Sequence, residues 1–527
     1  MYDTIIVGAG SAGCVLANRL SADPSRRILI LEAGQDGPTA SRIPSDWSSM
    51  LNTGADWGYY TEPQAGCRGR RIFWPRGKMV GGSGEINAMI YMRGLPSDYD
   101  GWEAAGCAGW GWKDVLPYFL KSENNSEFTD SPYHGTSGPL HIGRVPHLDE
   151  HELMWIEAAK AAGYKANDDP NGPSQEGVGL FQCNIKDGER WGPRKAFLDP
   201  VLGQPNVTLR KGIRVTGLVI EKGRVLGVNF LANGVPETAY ADSEVIMAAG
   251  AIGTPQIMML SGIGPADELS AVGVTPVHDL PGVGKHLQDH MTVSTAFHTK
   301  TAIGIGAWTE ETMESSLREW TEHRTGIRTS GWVYAAGNVR TREGIEPDIQ
   351  VVGTLSTHRD HGRFLGGRPG ITGHCVLQRP KSRGEITLRS ADPLENPAID
   401  PKYFISDPED IDISTMVEGL RINRRIMAQA PIRDLIDYEL SPCAEAQTDE
   451  ELAHYVRGHF TTLFHPTSTC RMGTDDLSVT DPATMKVHGM EGIRVVDASA
   501  IPIIVSGNTN APTIMVAERA ADKILAA

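Results

Sequence analysis

A glycine-punctuated turn between two apolar runs constrains the first 34 residues of this chain more than any other feature. Thr4-Ile5-Ile6-Val7 is a short β-branched run that ends on Gly8-Ala9-Gly10-Ser11-Ala12-Gly13. A helical pattern continues to about Leu20, a Ser/Asp/Pro turn follows, and a second apolar run from Ile28 to Leu31 ends on Glu32. That order is a complete βαβ unit. Gly8 makes the tight turn, Gly10 lets backbone approach a pyrophosphate, and Gly13 lets helix and strand pack closely. The helix start offers N–H groups and a partial positive charge to phosphates. Glu32, 19 residues beyond Gly13, stands where a carboxylate accepts from a ribose hydroxyl. The unit therefore reads as a dinucleotide site, although the glycines alone do not choose between FAD and NAD.

The rest of the chain divides around that unit. The Gly-rich segment 76–89, RGKMVGGSGEINAM, reads as a loop entering a helix, which either brings backbone against the cofactor or is a flexible surface turn. Residues 204–250 are β-rich, with strands expected near 206–209, 215–221, 224–232 and 244–247 between Lys-Gly and Asn-Gly turns. A second strand-glycine-helix pattern follows at Gly250-Ala251-Ile252-Gly253-Thr254-Pro255. The C-terminal end returns to the same theme: a strand running into Asp497-Ala498-Ser499, then Gly507-Asn508-Thr509-Asn510-Ala511-Pro512 leading into a helix. There Asn510 suits the cap and Pro512 the first turn. Residues 296–460 have a different texture: a charged amphipathic helix at 310–323, strands near 348–353 and 384–389, and Pro/Asp-rich turns. The expected fold is α/β with an α+β second domain. A Rossmann-type dinucleotide domain would be assembled from residues 1–157, 190–295 and 460–527. An inserted, mostly antiparallel-sheet substrate domain would come from 158–189 and 296–459.

Composition excludes several classes. With 49 Lys+Arg against 65 Asp+Glu the net charge is −16, and no long basic block is present, so nucleic acid is not an expected partner. No apolar run reaches the ~20 residues that span a bilayer, and no cleavable leader pattern opens the chain. The seven cysteines are scattered without a CxxC, which argues against a zinc site or a disulfide framework and for a reduced, cytoplasmic setting; peripheral membrane association stays compatible. No metal is expected, and oligomeric state is not legible.

Taken together these segments resemble the glucose–methanol–choline (GMC) oxidoreductase family. The resemblance rests on GAGSAG with Glu32, the RGKMVGGSGEINAM loop, the run from Gly250 to Gly264, the segment from Pro281 to His290 ending in KHLQDH, the stretch FHPTSTCRMG from Phe464 to Gly473, and Asp497-Ala-Ser with GNTNAP. It covers essentially the whole chain. It implies FAD, oxidation of a primary or secondary alcohol, polyol or sugar hydroxyl by hydride transfer, and electrons passed to a non-NAD acceptor such as a quinone, a dye or an electron-transfer protein. An oxidase using O₂ and a hydroxynitrile-lyase-like enzyme are the alternatives. Expected cofactor contacts come from Gly8, Gly10, Ser11, Ala12, Gly13, Glu32 and Ala33. The glycine-rich loop adds Arg76, Gly77, Val80, Gly81, Gly82, Ser83, Asn87, Ala88 and Met89. Val215, Ala249, Gly250, Asp497, Ala498, Asn508, Thr509 and Asn510 complete the set. His465, one of 16 histidines, carries no role from pattern alone; the resemblance makes it the base beside the flavin. It makes Asn508 the hydrogen-bond partner, with Asn510 as the neighbour able to exchange roles. Some relatives attach FAD through a histidine just before the Asn of the glycine-rich loop. Ile86 stands there, so the FAD should be non-covalent.

Other residues receive structural readings. His286 and His290 are spaced i, i+4 but lack a third ligand, so they read as loop packing. His454 and His459 read as exposed or substrate-side positions, Cys470 as packing, and 257–260 as core. Trp57, Tyr59, Tyr60 and Trp332 could form an aromatic pocket or simply core. Glu85 is expected to turn outward or to find a cation, because a buried lone carboxylate is costly.

Overall fold

The computed structural model describes residues 2–359, 364–365, 369–407, 409–442 and 446–526, and its two largest sheets flank one cavity. Tyr2–Val7 pairs in parallel with Ile28–Glu32, which pairs in turn with Val207–Lys211. On the other side Tyr2–Val7 pairs with the end of Val235–Met247, and Ile493–Val495 lies beyond it, again in parallel. These strands are unbroken apolar runs because both faces of a parallel sheet are covered; Ile5, Ile6, Ile28 and Ile30 are fully buried. The outer half of Val235–Met247 leaves the sheet and forms an antiparallel meander with Arg224–Ala232 and Ile213–Glu221. That half is mostly exposed and polar, so it carries no apolar pattern. The last helix, Asn510–Leu525, packs on the first, Ser11–Leu20, where Arg19 donates twice to buried Glu518 at 2.8 and 2.7 Å.

The second sheet is antiparallel, in the order Ile436–Ser441, Met291–Thr299, Gly370–Leu377, Ile349–Thr354, Ala335–Val339, Gly177–Leu180. The helix Ile411–Met427 covers one face. Contact there is close: a Cβ on Gly373 would lie 2.8 Å from the Asn423 side chain, and one on Gly419 would lie 2.9 Å from Cys375. Successive residues of a strand alternate between faces, so Gln350, Val352, Thr354, His374 and Val376 are left to the opposite face, where they line the cavity. The expected strand near 384–389 is the short Glu385–Thr387, paired with Ala398–Asp400 outside this sheet. Six cysteines are buried free thiols; Cys443 lies outside the described residues.

A buried ionic chain braces the segment that follows the glycine-rich loop. Arg93 pairs with Glu123, and both are inaccessible to solvent. Glu123 Oε1 lies 3.0 Å from His134 Nδ1, and both Asp169 oxygens lie 3.1 Å from His134 Nε2. Carboxylates only accept, so both ring nitrogens must carry protons. Burial opposes the charge, but the hydrogen bonds to Asp169 and Glu123 prevail and raise the His134 pKa. A raised folded-state pKa gives stability that is fully present below the unfolded value of about 6.5 and lost as pH rises through the folded value. His134→Gln should therefore destabilise the protein by about 2 kcal/mol near pH 6. The gap to wild type should narrow as pH rises, as read from thermal unfolding at each pH; a pH-independent gap would refute the charged histidine.

Candidate active site

The cavity begins at the first glycine turn. A Cβ on Gly8 would meet the Ala248 carbonyl oxygen at 2.5 Å, and one on Gly13 would meet that of Gly8 at 2.0 Å, so both glycines serve protein packing. Gly10 differs: a Cβ there would meet nothing within 4 Å, and the residue lines the cavity at the start of the helix. That space beside unpaired helix N–H groups suits a pyrophosphate. Glu32 accepts from Ala9 N at 2.9 Å and Gly34 N at 2.8 Å, one bond on each oxygen, and still lines the cavity. Each oxygen keeps a lone pair for a ribose hydroxyl. Burial raises the Glu32 pKa against the pull of these amides.

The loop 76–89 does not enter a helix. It forms one 3₁₀ turn, Gly82–Glu85, because Gly81 and Gly82 take left-handed φ values of 97° and 57° and fold the loop onto Gly10. Gly81 N donates to Ala9 O at 2.7 Å. Val80 and Gly81 thus face protein, as does Gly13, and these three of the expected contacts do not line the cavity. Arg76, Gly77, Gly82, Ser83, Asn87, Ala88 and Met89 do, as do Ser11, Ala12, Ala33, Val215, Ala249 and Gly250. Glu85 is buried and turned away from the cavity. It accepts from Arg194 N at 3.2 Å in the field of buried Arg190, which donates to the Asn87 side chain at 2.6 Å and to its carbonyl at 2.7 Å. Burial lifts the Glu85 pKa first, with Arg190 opposing.

At the C-terminal end Asp497, Ala498, Asn508, Thr509 and Asn510 all line the cavity. Asp497 accepts from Gly250 N at 2.8 Å and Thr254 Oγ1 at 2.6 Å, tying the last strand to the second glycine-helix turn. Asn510 is not the cap. Thr509 holds that position without a side-chain bond, and Asn510 accepts from Ser11 Oγ at 2.7 Å, joining the two helix starts. That leaves Asn508 facing His465, with Nδ2 3.5 Å from Nε2, while the Asn508 Oδ1 has no partner among the described residues.

His465 is set by a segment that sequence reasoning treated as packing. Phe464, at φ 66°, holds a left-handed backbone that few non-glycine residues adopt. Arg76 fixes it by donating to Phe464 O at 2.5 Å. Asp289 accepts from His465 N at 2.8 Å and from Tyr403 OH at 2.5 Å; burial pushes its carboxyl up to about 6. His290 Nδ1 lies 2.9 Å from His465 Nδ1, and its Nε2 lies 3.1 Å from the Gln378 carbonyl. A carbonyl cannot donate, so His290 carries its proton on Nε2. Burial pushes the His290 pKa down to about 4, which keeps it neutral and makes its Nδ1 an acceptor. His465 must then donate from Nδ1, and in the neutral ring this makes Nε2, which faces Asn508, the acceptor. His290 is thus a positioning residue, and its signal was the KHLQDH segment. His286 does not join it, and no metal-holding cluster is found among the described residues. His454 and His459 are exposed on the helix Asp449–His459 and do not line the cavity. Trp57 and Tyr59 line it and Trp47 joins them, whereas Tyr60 is 44% exposed and Trp332 packs on Trp308.

A doubly wound sheet with its glycine turns on a long cavity, roofed by an antiparallel sheet and closed by a histidine–asparagine pair, defines a two-domain dinucleotide-dependent oxidoreductase class. The GMC oxidoreductase N- and C-terminal family profiles match residues 2–292 and 380–517. The chain belongs to the GMC oxidoreductase family. It is 42% identical over 532 residues to alcohol dehydrogenase [acceptor] of Pseudomonas putida, covering 100% of this chain and 96% of the relative. It is 38% identical to mitochondrial choline dehydrogenase of Homo sapiens, covering 99% and 89%. Among solved structures, pyridoxine 4-oxidase from Mesorbium loti superposes with a TM-score of 0.89 at 28% identity, covering all of both chains.

Proposed function

We propose that the chain binds FAD non-covalently and oxidises an alcohol to an aldehyde or ketone, passing the electrons to an acceptor other than NAD. The observation that carries the reading is the chain Gln378 carbonyl, His290, His465, Asn508, which commits His465 Nδ1 to His290 and turns Nε2 toward Asn508 on the cavity wall. FAD, when bound, supplies the hydride acceptor. His465 Nε2 takes the hydroxyl proton of the alcohol, and the Nδ1–H bond to His290 holds the ring in place meanwhile. Asn508 Nδ2 donates to the alcohol oxygen and favours its developing negative charge without competing for the proton. Gly10 and Gly82 leave room for the pyrophosphate, and Glu32 accepts from the ribose. Ile86 lines the cavity where an attaching histidine would stand, which supports a non-covalent cofactor. Residues 1–157, 190–295 and 460–527 are read as the FAD domain, and 158–189 and 296–459 as the substrate domain. A cytoplasmic placement belongs to the same reading, supported by the free thiols; no described helix is long and apolar enough to cross a membrane.

The name of the Pseudomonas relative favours a dehydrogenase. Pyridoxine 4-oxidase among the structural neighbours favours the second reading, an oxidase that reoxidises with O₂. Anaerobic mixing of the purified yellow protein with primary alcohols, polyols, sugars, choline and aryl alcohols tests both. One class should bleach the flavin absorbance, and slow recovery in air with fast recovery on adding a quinone or dye identifies a dehydrogenase. Acid precipitation should release the yellow cofactor into the supernatant. A protein without flavin, or a flavin that no alcohol bleaches, would overturn the proposal, the latter in favour of a lyase-like role.

A further inference from the structure

Both members of the histidine–asparagine pair are held by neighbouring residues at the end of one strand. Gly370–Leu377 runs directly into Gln378 and Arg379. The Gln378 carbonyl accepts from His290 Nε2 and through that ring orients His465. Arg379, the next residue, turns to the other member: its Nε donates to Ser506 Oγ at 3.0 Å, two residues before Asn508. Asn508 needs such a hold. Among the described residues its Nδ2 meets His465 alone, at 3.5 Å, and its Oδ1 has no partner. The backbone that carries Asn508 therefore decides where its amide sits.

That backbone is pinned at Ser506, which is fully buried with every polar group engaged. Its amide donates to Asp98 Oδ2 at 2.7 Å, its hydroxyl donates to Asp98 Oδ1 at 2.9 Å, and its carbonyl accepts from Gln175 Nε2 at 2.9 Å. Gly507 then passes in close contact with the segment after the glycine-rich loop. A Cβ on it would lie 3.2 Å from the Met92 Cβ and 3.4 Å from the Gly94 nitrogen. Asp98 belongs to the first turn of the helix Pro96–Ala104, and its Oδ2 also accepts from Leu95 N at 2.8 Å. Burial lifts the Asp98 pKa, and Arg379 is the foremost influence against it. Arg379 Nη2 lies 3.4 Å from Asp98 Oδ1 and 2.6 Å from Glu346, whose side chain is 44% exposed. An ionised carboxylate accepts freely at both oxygens, whereas a protonated one does not. The guanidinium thus preserves the acceptor that pins Ser506.

We propose that Arg379 and Asp98 are positioning residues for Asn508: by fixing Ser506 they set the reach of the Asn508 amide toward His465 Nε2. Because Gln378 anchors His465 from the adjacent position, one strand end of the antiparallel sheet sets both halves of the pair. The inference rests on the alcohol-oxidising reading above.

A positioning role has an effect only while Asn508 is there to be positioned. Anaerobic flavin reduction, at saturating concentration of whichever panel alcohol bleaches the wild type fastest, is compared in four FAD-loaded proteins. These are wild type, Arg379→Met, Asn508→Ala and the double variant. Arg379→Met should slow reduction by about tenfold or more, because a small misplacement of a group acting at the reacting atoms is costly. In the Asn508→Ala background the same substitution should change the rate by less than about twofold, since the two residues act through one contact. Equal slowing in both backgrounds would overturn the inference and give Arg379 a general structural role; no slowing in either would overturn it too. If Arg379→Met does not fold, Ser506→Ala deletes only the hydroxyl between Asp98 and Arg379 and carries the same two expectations. A wild-type flavin that no alcohol reduces would take down the alcohol-oxidising reading itself, a failure visible before any variant is compared.

Discussion

Replacing His465 by alanine should slow anaerobic flavin reduction by an alcohol roughly 10²–10⁴-fold while the protein stays yellow. The side chain holds its place through its ring, and its backbone is fixed independently. Asp289 binds the His465 amide, Arg76 the preceding carbonyl, and Gln288 and Thr467 exchange backbone bonds at 3.2 and 2.9 Å. Removing the imidazole therefore removes the proton acceptor without releasing the loop. Asn508 cannot substitute, because an amide has no basic nitrogen near neutral pH. Stopped-flow absorbance in the flavin band checks this, with the bound FAD quantified first. A loss below about tenfold in a fully loaded variant would place the base elsewhere.

Gly10→Val and Gly13→Ala should fail in opposite ways. A Cβ at Gly10 would meet no protein atom within 4 Å, and its backbone, at φ −77°, accepts any residue, so the variant should fold with nearly wild-type thermal stability. Its side chain would occupy the pyrophosphate space, and the purified protein should be colourless. A methyl at Gly13 would sit 2.0 Å from the Gly8 carbonyl oxygen, a backbone atom, which the helix and strand relieve only by moving apart. That variant should lose several kcal/mol of stability, on the scale of an overpacked core, and accumulate as insoluble protein. FAD retention in Gly10→Val would refute the cavity's assignment to the pyrophosphate, and a stable Gly13→Ala would refute the packing role.

Much of this architecture was legible because it is local or strongly patterned. The turn from Gly8 to Gly13 needs glycine for reasons confined to a few neighbouring atoms, and the parallel strands are unbroken apolar runs because both of their faces are covered. The helix over 310–323 and the strand over 224–232 were readable from periodicity and turn residues alone. Where the pattern was weak the reading slipped. The exposed half of Val235–Met247 carries no alternation, and the loop 76–89 was expected to enter a helix because sequence does not reveal that left-handed Gly81 and Gly82 fold it onto Gly10.

By itself the sequence determined a dinucleotide-binding sheet and an inserted antiparallel sheet and, through the resemblance, pointed to the pair His465 and Asn508 proposed here as catalytic. Only the tertiary structure decided how that pair is armed. Asp289 and His290 lie more than 170 positions from His465, and His290 sets its tautomer through a carbonyl 88 residues further along the chain. Asn510 went to Ser11 across 499 residues, leaving Asn508 to the site, and Glu85 found the field of Arg190 by turning inward. Proton placement and unsatisfied donors depend on which atoms meet within about 3 Å, and contacts between residues so far apart in the chain leave no period or spacing to read.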